Sequence, residues 1–161
     1  MFALDQGRYT VAAGATGLIR ACRDASVKYA LERKTFGVEI GQHQLVKEMI
    51  AQMESDYQSA RLLWLRSGWL KNNGQRNTRE TGLGEVVRRP SRPSARPATA
   101  VQIHGANGYS DEYPVGRFYR NCKGAVIYEG TREIHKVMQA DYLLGYRVDP
   151  DRCDAAASFR A

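Results

Sequence analysis

Two short stretches of this 161-residue chain hold residue types that could do chemistry. The first is Gln102-Ile103-His104-Gly105-Ala106-Asn107-Gly108-Tyr109. The second is Ile127-Tyr128-Glu129-Gly130-Thr131-Arg132-Glu133-Ile134-His135. In the second, Glu129 and Gly130 precede a segment with helical pattern. Glycine removes side-chain bulk, so a ligand can press against the backbone there. Amides at a helix start favour anionic oxygen. A carboxylate beside such a gap can serve as a general base if an apolar pocket raises its pKa. The same residues also read as a plain helix start, with Gly130 as cap and Glu133 at the positive end of the dipole. Local pattern by itself favours that plainer reading.

Helices must position these stretches. From about Asp5 to Lys34, Val11, Ala15, Leu18, Ala21 or Cys22, Ala25 and Tyr29 recur at spacings of three or four. Arg33-Lys34-Thr35-Phe36-Gly37 then suits a helix end, because cations favour the C-terminal dipole and glycine takes the left-handed cap. A second helix is predicted from about Gln42 to Asn72, with Leu45, Met49, Met53, Tyr57, Ala60 and Trp64 as its apolar stripe. Two long helices joined by a short turn suggest an antiparallel bundle. Order is expected to resume at Val101, with a short helix over Val115–Cys122 behind Pro114. A last helix is expected over Gly130–Leu144, with Ile134, Val137 or Met138, and Tyr142 inward and Gly145 as its cap.

Composition narrows the function classes. Apolar residues make up 43% and charged residues 25%, ordinary for a water-soluble domain, and no apolar run reaches the roughly 18 residues that would span a bilayer. The start shows no secretory pattern. Three cysteines, Cys22, Cys122 and Cys153, cannot all pair and lack metal-ligand spacing. The expectation is reduced thiols in a cytoplasmic setting. His43, His104 and His135 show no metal-like grouping, so no metal is expected. Arg33 could be a helix C-terminal cation. Asp5 and Arg8 could be an ordinary i, i+3 surface pair, worth tenths of a kcal/mol.

Taken together, Arg33-Lys34-Thr35-Phe36-Gly37, His43-Gln44, Gln102 to Gly108 and Ile127 to Thr131 resemble the acyl-CoA dehydrogenase family, in that family's order and spacing. The resemblance covers about Asp5–Leu83 and Val101–Tyr146, the family's C-terminal helical domain. Its N-terminal helical and middle β domains have no counterpart here. It implies an all-α, four-helix up-and-down bundle over residues 5–146, followed by a disordered tail over 147–161. It implies a flavoprotein oxidoreductase of fatty acid metabolism that converts an acyl-CoA thioester to the 2-enoyl-CoA. Glu129 matches the base that removes the α-proton, and FAD takes the β-hydride. Gly130 matches the small residue beside the thioester, and Asp5 and Arg8 match a pair near the CoA chain. Thr131 and Glu133 match positions that contact the flavin of the same subunit. Arg33, Phe36, Gln44, Gln102 and Gly105 match positions that reach the FAD of a neighbouring subunit. Implied partners are the acyl-CoA, further copies of the chain in a dimer or tetramer, and an electron-transfer flavoprotein as acceptor. No membrane or nucleic-acid partner is implied. The alternative is a helical association module, or the product of a decayed gene, without bound flavin.

Residues 84–99 depart from this pattern. Arg88, Arg89, Arg92 and Arg96 are interleaved with Pro90, Pro93 and Pro97 where the family has the third long helix of the bundle. By composition the stretch is a linker, and the third helix is expected to be disrupted. A true basic linker could bind nucleic acid or phosphate, but it lacks aromatics for base stacking. An Arg, Pro, Ser and Ala composition also fits a GC-rich gene read out of frame, with a second shift restoring the frame. On that reading, another frame of the coding DNA encodes an amphipathic helix across 84–99. A translation of all three frames that finds none rejects it.

Overall fold

The structure, a computed structural model, describes residues 2–82, 95–125, 127, 128 and 130–147. Helix α1 spans Phe2–Glu32 and helix α2 spans Gln44–Asn72. Between them, β1 (Lys34–Thr35) and β2 (Val38–Glu39) form a small antiparallel hairpin, followed by a 3-10 turn at Ile40–Gln42. After a helical turn at 78–82, helix α3 covers Ala95–His104 and continues as a 3-10 turn over Gly105–Tyr109. Helix α4 is Val115–Gly124 and helix α5 is Arg132–Leu144. No helix among the described residues is long and apolar enough to cross a membrane.

The long helices pair in opposite directions. Gln6 accepts a hydrogen bond from Lys71, Tyr9 stacks on Trp64 with ring centroids 5.7 Å apart, and Arg23 meets Glu54. Partners thus rise along α1 as they fall along α2. In α3, Arg96 pairs with Asp56 while His104 stacks on Tyr29 at 4.2 Å, so α3 runs alongside α1. Tyr113, just ahead of α4, meets Tyr29 edge-on, and Cys122 at its far end faces Cys22. The order is therefore up, down, up, down around a core of Cys22, Tyr29, Ala30, Ile40, Met53, Ala100, Ile103 and Val115. Burial pushes the Cys22 thiol up to about 12, with nearby Cys122 adding to the effect. Both cysteines are buried, free thiols.

Several sequence expectations shift in detail. The buried stripe of α1 is Ala12, Thr16, Ile19, Cys22, Ser26 and Tyr29, one residue on from the predicted one over most of its length. Thr16 is accommodated because its hydroxyl donates to Ala12 O at 2.8 Å. In α2, Met53 and Ala60 are buried as expected, but Leu45 is 71% exposed. In α5, Met138 and Tyr142 point inward together with His135, whereas Ile134 and Val137 face outward. Gly145 closes that helix at φ +73°, its N–H bonded to Asp141 O. Gly37 takes a left-handed φ, but in the hairpin turn rather than as a helix cap.

Residues 83–94 and 148–161 lie outside the described residues, and with them most of the expected aberrant segment and tail. Helix α3 begins at Ala95, ahead of Val101 where order was expected to resume. Pro97 lies within the described part of that helix.

Met53 is fully buried at the centre of the core. Met53→Ala is expected to cost roughly 2–5 kcal/mol of stability, read by urea denaturation. Burial also lowers the pKa of His104 below its ordinary 6.5, against a smaller opposing effect from its bond to Ala100 O. The folded state therefore holds this imidazole neutral where the unfolded chain takes up a proton, so stability falls as pH drops below about 6.5 towards the folded value. The His104 Cε1–H resonance is expected to titrate with a midpoint below 6.5. A midpoint at or above that value refutes the assignment.

Candidate active site

The predicted site residues fall into two groups at opposite ends of α1. The first lies at its start. Asp5 and Arg8 are one turn apart, with Arg8 Nη1 3.6 Å from Asp5 Oδ1 and both side chains less than 15% exposed. They do not form the ordinary surface pair that local sequence allows. The Thr78 hydroxyl donates to Asp5 Oδ2 at 2.9 Å, and Arg76 Nε donates to the same hydroxyl at 3.2 Å. The helical turn at 78–82 is thereby tied to α1. It is fixed from below by Asn77, whose amide donates to Ser67 Oγ at 3.1 Å, and by Thr81, whose hydroxyl lies 3.0 Å from the same oxygen.

Gly130 comes to this end of the bundle from α5. Its φ is +96°, a conformation that side chains rarely adopt. A Cβ placed there would sit 3.3 Å from His135 Nε2 and 3.9 Å from Arg8 Nη2. Gly130 and Arg8 are therefore neighbours, across more than a hundred residues of sequence. Thr131, exposed, is the N-cap of α5 in place of the expected Gly130, and its hydroxyl makes no capping bond. Glu133 is exposed in the first turn. Glu129 lies outside the described residues.

The second group lies at the far end. Arg33 follows the last turn of α1, its N–H bonded to Tyr29 O and its carbonyl accepting from Ile40 N. Phe36 occupies the hairpin tip at φ +52° with Gly37 at +81°, the two positive values of a type I′ turn. Its ring is 95% exposed and stands edge-on to His43, whose Nε2 lies 3.0 Å from Thr35 Oγ1. Gln44 is the exposed first residue of α2. Gln102 and Gly105 are exposed at the C-terminal end of α3, which the Tyr29–His104 stack and the Asn107–Tyr29 hydrogen bond hold at the end of α1. Gly105 has φ +57° and open space where a Cβ would be. Arg8 and Arg33 are separated by about 37 Å along α1, at 1.5 Å per residue. The structure thus gathers Asp5, Arg8 and Gly130 in one place and Arg33, Phe36, Gln44, Gln102 and Gly105 in another.

Two residues escaped the sequence reading. His135 and Thr78 are both fully buried beside the first group. The signal for His135 was its spacing of three and seven from Met138 and Tyr142, which puts it on their face. Thr78, in a polar stretch, gave none. Among the described residues, no group of three or more metal-ligating side chains is present.

The profile of the acyl-CoA dehydrogenase C-terminal domain matches residues 1–144. A probable medium-chain specific acyl-CoA dehydrogenase of Caenorhabditis briggsae is 38% identical over 146 residues, covering 91% of this chain and 35% of the relative. Subunit CarC of the caffeyl-CoA reductase-Etf complex of Acetobacterium woodii is 37% identical, covering 89% and 38%. Butyryl-CoA dehydrogenase from Megasphaera elsdenii superimposes with a TM-score of 0.85 at 34% identity, over 89% of this chain and 37% of that one. The chain spans little more than a third of the length of these relatives. With its helix order and its glycine-marked corner beside Arg8, the chain belongs to the acyl-CoA dehydrogenase family and corresponds to its C-terminal domain.

Proposed function

We propose that this domain is the C-terminal part of an FAD-dependent acyl-CoA dehydrogenase, with Glu129 as the base that removes the α-proton of an acyl-CoA thioester. The observation that carries the reading is the corner after Glu129. Gly130, at φ +96°, lies beside Arg8, and the side where a Cβ would point is taken up by His135 Nε2 at 3.3 Å, so only glycine fits at this corner. The Glu129 carboxylate accepts the α-proton, and its own backbone amide donates to the carbonyl oxygen, where negative charge builds as the proton leaves. Asp5 and Arg8, held by Thr78, flank the CoA chain.

FAD, when bound, supplies the acceptor for the β-carbon hydride. The residues present fit such a group. Thr131 stands exposed at the head of α5 and its own side chain makes no capping bond there. Thr131 and Glu133 would hold the flavin of the same subunit. At the other end of α1, Arg33 offers a donor fork suited to a pyrophosphate, while Phe36, Gln44, Gln102 and Gly105 offer exposed contacts. Two groups about 37 Å apart cannot serve one isoalloxazine ring, so the second group faces a neighbouring copy in a dimer or tetramer. An electron-transfer flavoprotein is the proposed electron acceptor, supported by the Etf complex to which the Acetobacterium relative belongs.

The chain's limited span of its relatives also favours a second reading, a helical association module without flavin. Mixing with FAD tests both. The chain alone is expected to stay colourless after gel filtration. Joined to the part of butyryl-CoA dehydrogenase that it does not cover, it is expected to retain FAD and to reduce an artificial acceptor with butyryl-CoA. Glu129→Gln in that fusion should lower turnover by about 10²–10⁴-fold with flavin retained. Undiminished turnover would remove Glu129 as the base, and a fusion that folds but holds no flavin supports the module.

A further inference from the structure

His135 is the most deeply buried imidazole among the described residues, with 0% exposure. It sits between two glycines that come from different parts of the chain. A Cβ at Gly130 would lie 3.3 Å from its Nε2, and a Cβ at Gly82 would lie 3.6 Å from its Nδ1. Gly82 has no room to grow, because its Cβ would also meet Met138 Cε at 2.2 Å and Gln139 Nε2 at 2.9 Å. On the other side of Gly130 stands Arg8, already paired with Asp5. Gln139, one turn beyond His135, donates to Arg79 O at 2.9 Å and so fastens α5 to the turn at 78–82.

We propose that His135 is a positioning residue for the Gly130 corner. Its buried ring packs between that corner and the turn at 78–82, which Thr78 and Asp5 tie to α1. One feature argues for the imidazole rather than an aliphatic filler: its Nε2 is turned to the Gly130 corner, on the side where Arg8 also stands. A positive-φ glycine is also the residue least able to hold its own conformation, so the order of this corner must come from its neighbours. The proposal rests on the reading of Glu129 as the base for its functional meaning, since the Gly130 amide immediately follows that residue.

The test uses the whole chain labelled with ¹⁵N-glycine, which gives fifteen glycine signals. The Gly130 N–H order parameter is expected near 0.85 in the parent and below about 0.6 in His135→Ala. His135→Gln, which keeps a polar group of similar reach, is expected to restore it. His135→Phe, which fills the volume without ring nitrogens, is not. Gly37 and Gly74, remote from the corner, report that each variant is folded. Restoration by Phe as complete as by Gln overturns the proposal, as does a Gly130 signal that is already mobile in the parent or unmoved in all three variants. Neither flavin nor turnover enters this measurement. Its failure therefore leaves Glu129 as a base untouched, and a failure of Glu129 leaves the His135 result standing.

Discussion

An α-helix cannot bring its own ends together, and the rest of this domain follows from that. Helix α1 holds its termini about 46 Å apart over 31 residues. Helix α2 runs back along it, α3 forward, and α4 back again. This alternation leaves the hairpin and the end of α3 at one pole, and the start of α1 and the head of α5 at the other. The rigidity of α1 is thus the reason the predicted site residues separate into two groups. A more compact fold would have merged them.

What fixes each pole is different in kind. The far pole is held by aromatic stacking around Tyr29, His104 and Tyr113, inside the apolar core. The near pole is held by two sets of polar contacts, Arg76 to Thr78 to Asp5, and Asn77 to Ser67 to Thr81. Buried polar networks define one geometry sharply when satisfied and lose it when one member is removed. On the proposed function, a reacting carboxylate at the near pole would gain from that sharpness, and a surface that presents an arginine and a ring to a neighbouring copy would need it less.

The helices were legible in the sequence because their apolar periods are strong. The long helices, the break at Arg33–Gly37, the helix behind Pro114 and the cap at Gly145 all stand near where the pattern puts them. The rotation of α1 was not legible. Alanine and glycine from Ala12 to Gly17 carry little preference for either face, and Thr16 and Ser26 are buried against expectation. In α5, Ile134 and Val137 offered a second apolar stripe that competes with His135, Met138 and Tyr142. Only packing against the 78–82 turn decides between them. Pro97 marked a break in sequence, yet it stands within a helix. Of the site, Gly130 and its partners Asp5 and Arg8 were named from motif matching. Their meeting depends on contacts between distant segments, and no local pattern carries that information.

Phe36 has a consequence for the folded chain. A type I′ turn is most comfortable with asparagine ahead of glycine, and a bulky residue at positive φ costs about 1–2 kcal/mol. Phe36 bears that cost while nearly all of its ring stands in water. Against that cost the ring makes an edge-on contact with His43. A ring that stands almost wholly in water lends little to the core, so the fold itself should tolerate replacement of Phe36 more readily than replacement of any core residue.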